Sequence, residues 1–202
     1  MDLSVVLPVF NEEGNLEALH AELTEALAGL GLRYEVLYVD DGSRDASFSI
    51  LQRIREADPC VRLLRFRRNY GQTAALAAGL ERTQGDVVVT LDSDRQNDPR
   101  DIARLLARLG EGYDLVSGWR KDRKDDFWSR RLPSVAANRM IRAITGVRVH
   151  DYGCMLKAYR GDVARELRLY GEMHRFIPAI AADLGARVDE LVVNHRPRVA
   201  GT

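Results

Sequence analysis

The chain has 202 residues, 46% hydrophobic and 30% charged, and its 30 basic residues balance 30 acidic ones. That length supports one domain with a sizeable core, while zero net charge excludes a whole-molecule polyanion binder and argues against nucleic acid as a partner. "MDLSVVLPVF" lacks the basic start and long apolar region of a signal peptide, and no run approaches the ~18 apolar residues of a membrane span. The expectation is a soluble domain on the cytosolic side. The ending "NHRPRVAGT" has no helix or tail of its own, so a longer parent protein is also expected.

Short apolar runs alternate with amphipathic stretches. "LSVVLPV" (3–9) reads as a buried strand. Leu16, Leu19, Leu23, Leu27 and Leu30 fall at helical spacing over 15–30, with Gly29 and Gly31 near the end. "YEVLYVD" (34–40) is a second strand, and 45–58 is a helix stopped by Pro59. "VRLLRF" (61–66) is a third strand, and "GQTAALAAGLERT" (71–83) is a small-residue helix suited to close packing on a sheet. "DVVVTLD" (86–92) is a fourth strand. Residues 99–109 form a helix with Pro99 in its first turn, capped by Asp98, and "YDLVSGW" (113–119) is a fifth strand.

Strand–helix alternation with nearly continuous apolar strands predicts an α/β fold: a mostly parallel central sheet with helices on both faces. After residue 119 the pattern changes. Residues 120–131 are a charged linker bearing Phe127 and Trp128, 134–146 a helix, 150–160 a strand, 162–170 and 174–185 two helices, and 187–197 ends on a strand. Cys60 and Cys154 have neither zinc nor disulfide spacing and read as small buried hydrophobes in a reducing compartment.

Open α/β sheets bind ligands at the carboxyl ends of their strands. Three strands here end in polar sets, "PVFNEE", "VDDGSRD" and "LDSDRQ", which should converge on one crevice. GxGxxG, the P-loop, HExxH and GxSxG are all absent, which counts against nicotinamide dehydrogenases, P-loop NTPases, zincins and serine hydrolases. "DDGS" by itself is also an ordinary turn. Asp92 and Asp94, at i and i+2 in a loop, are hard oxygen ligands suited to one Mg²⁺ or Mn²⁺. Helix capping explains Asp98 but not these two.

Seven segments resemble glycosyltransferase family 2, of the GT-A fold: "VVLPVFNEEGNL", "VDDGSRD", "RNYGQTAALAAGL", "GDVVVTLDSDRQNDP", "VSGWRKDR", "ANRMIRAITGVRVHDYGCMLKAYR" and "HRFIPAIAADLGARVDELVVNHRPR". The likeness is to its dolichyl-phosphate mannose synthase and bacterial undecaprenyl-phosphate glycosyltransferase branch. The resemblance implies a single GT-A catalytic domain over 1–202, with 1–119 binding nucleotide and metal and 120–202 forming the acceptor side. It implies that Pro8, Phe10 and Glu12 form the first nucleotide-contacting loop and that Asp40 reads the base, with Asp41 beside it. Gly71 and Gln72 would lie near the nucleotide, with Ser93 inside the metal motif. Asp92, Asp94 and Gln96 match the metal motif, and Asp94 is also expected at the chemistry. Arg95 stands where this branch carries an apolar residue, so its side chain must point away from the metal or toward a donor phosphate.

A polyprenyl phosphate acceptor is already an oxyanion and needs cationic clamps more than a base. Arg120, Arg130 and Arg131, with Lys121, Arg123 and Lys124, supply cations, although a solvated loop reads the same way. Phe127 and Trp128 suit a membrane interface or an anchor for the loop. Asp151 is a base, a positioning group or a holder for an arginine. His174 and Arg175 bind acceptor phosphate or start a helix, and His195 ends the chain's last strand among basic residues. The expected activity is metal-dependent inverting transfer of a sugar from a nucleotide-diphosphate sugar to a polyprenyl phosphate at the membrane surface. Two alternatives stay open: transfer to a saccharide hydroxyl, and a nucleotide-sugar-binding module without turnover.

Overall fold

The computed structural model describes residues 1–121, 146, 147 and 149–197. Seven strands form one sheet: β1 (Leu3–Val9), β2 (Tyr34–Asp40), β3 (Val61–Arg65), β4 (Val87–Thr90), β5 (Leu115–Trp119), β6 (Lys157–Arg160) and β7 (Val188–Val192). Their order across the sheet is β3-β2-β1-β4-β6-β5-β7. Pairing is parallel throughout except where β6 inserts antiparallel between β4 and β5. The α-helices among the described residues are α1 (Leu16–Ala28), α2 (Ser47–Ala57), α3 (Gln72–Glu81), α4 (Asp101–Gly110), α5 (Gly161–Glu166) and α6 (Ile177–Asp183).

The period-2 alternation of β1 sorts the core into two layers. Leu3, Val5, Leu7 and Val9 pack with Leu16, Leu19 and Leu23 of α1, Leu51 of α2 and Leu105 of α4. Val6 turns to the other face and packs with Ala75, Leu76 and Leu80 of α3, Ala164 of α5 and Ile177 of α6. The small residues of α3 have a direct use. A Cβ on Gly79 would come within 2.4 Å of Val6 Cγ1 and 3.2 Å of Val39 Cγ2, so the helix lies close on the sheet.

The chain builds β2 and β3 on one side of β1, then crosses to place β4 on the other. The carboxyl ends of β1 and β4 therefore flank the crevice that this crossing opens.

Several boundaries differ from the sequence expectation. Only Lys157–Arg160 of the expected strand over 150–160 is a strand, because the chain bends at His150 and turns at Tyr152 and Gly153 before reaching it. The expected helix over 162–170 ends at Glu166, and the one over 174–185 opens as a 3₁₀ turn, Met173–Phe176, before α6. Helix α4 starts at Asp101 rather than at Pro99. Asp98 Oδ1 still accepts the Arg100 N–H at 3.1 Å. Cys154 is buried and Cys60 is half-buried, both as free thiols. The expected helix over 134–146 and the basic linker beyond Lys121 lie almost wholly outside the described residues, as do Arg130, Arg131, Phe127 and Trp128. Among the described residues no helix is long and apolar enough to cross a membrane.

Candidate active site

A cavity of about 350 Å³ opens at the carboxyl ends of β1, β2 and β4. Its walls include Pro8, Phe10, Glu12, Asp41, Gln72, Asp92, Ser93 and Asp94, all singled out from sequence, together with Val9 and Asn69. Asn69 was missed. It sits in the quoted "RNYGQ" segment, but an Asn in a loop carries no signal beyond turn formation.

Each wall is held by its own hydrogen bonds. After β1, Asn11 takes a left-handed backbone (φ 54°). Its N–H donates to Ser43 Oγ at 3.0 Å, and its Oδ1 accepts the Arg44 N–H at 2.9 Å. The Glu12 N–H donates to Ser47 Oγ at 2.8 Å, and Glu12 Oε2 accepts from Asn15 Nδ2 at 2.6 Å. The loops after β1 and β2 thus brace each other.

Asp40 and Asp41 point to different work. Asp40 is fully buried, accepts the Ser43 N–H at 3.1 Å and pairs with Arg65 at 3.3 Å. It stands behind the wall, and Asp41 is the carboxylate that lines the cavity. Asp41 accepts the backbone N–H groups of Tyr70 at 2.7 Å and Gly71 at 2.9 Å. Burial raises its affinity for a proton, and those two donors work against the rise. Gly71 (φ 94°) begins α3 and lies outside the cavity wall. Gly42 permits the loop over it: a Cβ there would meet the Arg68 carbonyl carbon at 2.5 Å, on a backbone already at φ 71°.

The loop after β4 carries the paired carboxylates. Ser93 Oγ donates to the Pro8 carbonyl at 2.9 Å, fastening this loop to β1. Asp92 Oδ1 accepts from Gln72 Nε2 at 2.8 Å. Burial and the neighbouring Asp94 charge push the Asp92 carboxyl up to about 7, against the pull of Arg120 and Lys157. Two carboxylates side by side on the cavity wall are a donor set that fits a divalent cation held by hard oxygen ligands.

The Gln96 side chain is directed to the segment after β7 rather than to the pair. Its Nε2 reaches the Arg196 carbonyl at 3.4 Å, and its N–H donates to Asp94 Oδ1 at 3.0 Å. The turn at Arg95 (φ 62°) redirects the chain between the two residues. Arg95 itself points away from the cavity and donates to Glu22 Oε1 at 2.5 Å.

The glycosyl transferase family 2 model matches residues 4–168 of this chain. The chain belongs to glycosyltransferase family 2. Among curated members, it is 42% identical over 205 residues to the dodecaprenyl-phosphate galacturonate synthase of Rhizobium johnstonii, covering 100% of this chain and 61% of that protein. It is 44% identical over 200 residues to the undecaprenyl-phosphate 4-deoxy-4-formamido-L-arabinose transferase of Pseudomonas paraeruginosa, covering 98% of this chain and 59% of that protein. It therefore spans about three fifths of the length of these relatives. The crystal structure of glucosyl-3-phosphoglycerate synthase from Mycobacterium tuberculosis, in complex with Mn²⁺, UDP and glucosyl-3-phosphoglycerate, superposes with a TM-score of 0.69. The identity is 25%, and the match covers 98% of this chain and 73% of that one. The fold is GT-A.

Beside the carboxylate pair, this family 2 domain has a second charged layer. Arg120 and Asp151 form a two-point ion pair, Nε to Oδ2 at 2.7 Å and Nη2 to Oδ1 at 3.0 Å. The Arg120 backbone N–H adds a third contact to Oδ2 at 3.3 Å. Burial works against the Arg120 charge, and the Asp151 carboxylate more than restores it. Lys157, which sequence reasoning passed over, is fully buried. Its Nζ donates to the carbonyl of Cys154 and reaches that of Tyr152 at 3.4 Å, bracing the turn that carries Asp151. Its signal was faint, since a lone Lys at a strand start normally lies in solvent.

The histidines fall in different places. His174 is buried, with Nδ1 2.6 Å from Thr73 Oγ1, and burial lowers its proton affinity. It joins the 3₁₀ turn to α3. Arg175 is exposed and pairs with Glu172. His150 stacks on Trp119, with ring centroids 4.3 Å apart, and pairs with Glu190. His195 is buried and its backbone bridges to Asn97 of the loop after β4.

Proposed function

We propose that this domain is the catalytic part of a metal-dependent inverting glycosyltransferase. It moves a sugar from a nucleotide-diphosphate sugar to a polyprenyl phosphate at the cytoplasmic face of a membrane. The observation that carries this reading is the convergence of Asp92 and Asp94 with Pro8, Phe10, Glu12 and Asp41 on one cavity. Residues 1–119 supply the donor and metal groups, and residues 120–202 form the acceptor side.

Asp92 and Asp94 would hold Mg²⁺ or Mn²⁺, which when bound supplies Lewis acidity toward the donor's diphosphate leaving group. The protein's own groups do the positioning. Gln72 fixes one oxygen of Asp92, and Ser93 ties the loop to β1. Asp41 lines the cavity that would take the nucleotide, and Asp40 holds the loop behind it through Ser43. Phe10, 38% exposed, offers an aromatic face at the rim.

In the reaction, an acceptor phosphate oxygen bonds to the anomeric carbon as the bond from that carbon to the diphosphate breaks. The nucleoside diphosphate leaves with the electron pair. The acceptor is already ionised, so no general base is required. Cations must then bring two anions together, and Arg120, oriented by Asp151, serves that role. Arg130 and Arg131 are assigned the same task from sequence alone. Both curated relatives are named for a polyprenyl phosphate, which favours this acceptor over a saccharide.

The rival reading makes Asp151 a base for a hydroxyl acceptor. Both of its oxygens are engaged by Arg120, which counts against it. Calorimetry of UDP and GDP with and without Mn²⁺ tests the metal and donor assignment. Binding of either nucleotide that tightens with Mn²⁺, and loses that gain in Asp94→Asn, supports it; metal-independent binding overturns it.

A further inference from the structure

The metal loop is tied to the end of the last strand by an ionic clamp centred on helix α1. Glu22 Oε1 accepts from Arg95 Nη2 at 2.5 Å, and Glu22 Oε2 accepts from Arg196 Nη1 at 2.5 Å. Arg196 Nη2 also reaches Asp98 Oδ2 at 2.8 Å. Two of these four residues belong to the loop that carries Asp92 and Asp94, one to the segment after β7, and one to α1. The backbone repeats the tie: the Arg196 N–H donates to the Gln96 carbonyl at 2.8 Å, and Asn97 bridges to His195.

The arrangement has features that a chance surface pair lacks. The side chains of Glu22, Arg95 and Arg196 are only 29%, 23% and 33% exposed, so solvent screens them less than a surface pair. Arg95 holds a left-handed backbone without being glycine, a conformation that persists where the surroundings enforce it. That residue lies directly beside Asp94 in the chain. Pinning its guanidinium to α1 fixes the turn from which the Asp94 carboxylate projects.

We propose that Glu22 is a positioning residue for the metal site: through Arg95 and Arg196 it holds the Asp92–Asp94 loop in cation-binding geometry and couples it to the segment after β7. This inference rests on the assignment of Asp92 and Asp94 as metal ligands. Groups that orient metal ligands without touching the metal typically change affinity by about 10- to 100-fold when removed.

The test is calorimetric titration of Mn²⁺ into full-length protein preloaded with whichever of UDP and GDP it binds more tightly, alongside nucleotide binding without metal. Glu22→Ala and Arg95→Leu should each weaken Mn²⁺ binding by roughly 10-fold and leave metal-free nucleotide binding unchanged. Glu17→Ala, which breaks the exposed Glu17–Arg53 pair on the same helix, should change neither. Arg95→Leu breaks the clamp from the loop side and leaves α1 unchanged, so it reports even if Glu22→Ala fails to fold. Unchanged Mn²⁺ affinity in the Glu22 and Arg95 variants, or an equal loss with and without metal, overturns the clamp. An Asp94→Asn variant that keeps wild-type Mn²⁺ dependence overturns the metal assignment and the clamp with it. Loss in Asp94→Asn alone overturns only the clamp.

Discussion

Arg120 closes on Asp151 through two parallel hydrogen bonds, 2.7 and 3.0 Å long, with side chains only 12% and 5% exposed. This pair supports a positioning role for Asp151 over a basic one. A carboxylate with both oxygens bound to a guanidinium orients a cation, and it is poorly placed to take a proton from an acceptor hydroxyl.

Asp151→Asn should therefore lower stability together with activity, because it leaves Arg120 buried beside a neutral partner. Removing one member of a buried pair costs ~3–5 kcal/mol. Chemical denaturation measures the stability, and a pH–rate profile supplies the second readout. A stable variant whose rate loss tracks one basic group would restore the general-base reading.

Gln72 donates to Asp92 at 2.8 Å from the first turn of α3. Gln72→Ala should raise the Mn²⁺ concentration needed for half-maximal activity by roughly 10-fold while leaving the rate at saturating metal nearly unchanged. A fall in the saturated rate with no change in metal requirement would mean that Gln72 acts on the sugar or nucleotide instead.

Gly79 has no room for a side chain against Val6 and Val39. Gly79→Val should destabilise the domain by at least ~1–3 kcal/mol, the usual range for overpacking. Because α3 carries Gln72 at its start, donor binding should weaken as well. Urea denaturation and nucleotide titration check the two effects separately.

Glu35 supplies the pH dependence. Its side chain is 3% exposed. Burial works to raise its pKa, but the Ser4 hydroxyl, Arg62 and the Gln84 N–H outweigh burial and hold the carboxyl below its ordinary value. A depressed carboxyl contributes stability that is complete above its unfolded pKa and is lost as pH falls through its folded pKa. Glu35→Gln should flatten stability across that acid window and cost ~1.5–3 kcal/mol at neutral pH. Denaturation midpoints from neutral to acid pH measure both, and an unchanged acid slope in the variant would contradict the assignment.

Much of this architecture was legible in the sequence through residue 119, because continuous apolar strands and Leu-spaced helices leave little choice of pattern. The cavity walls were legible for a related reason: polar residues gather where buried strands end. What was hidden is mostly three-dimensional. Asp40 and Asp41 are neighbours in sequence but alternate sides of a strand end, so only Asp41 reaches the cavity. Gln96 continues the i, i+2 spacing of Asp92 and Asp94, yet the left-handed turn at Arg95 carries it away. Residues 150–156 read as strand from their apolar content. They instead form the turn that seats Asp151 on Arg120 and is braced by Lys157. The antiparallel insertion of β6 between β4 and β5 has no hydropathy signature, since a buried strand looks the same in either direction.

The most direct measurement is product analysis with full-length protein, a panel of nucleotide-diphosphate sugars and a short polyprenyl phosphate, run with and without Mn²⁺ or Mg²⁺ and repeated with Asp94→Asn. The predicted result is a glycosylated polyprenyl phosphate of inverted anomeric configuration, formed only with metal and lost in the variant. Sugar transferred to a saccharide hydroxyl with no lipid-linked product, or lipid product formed equally well without metal, would contradict it.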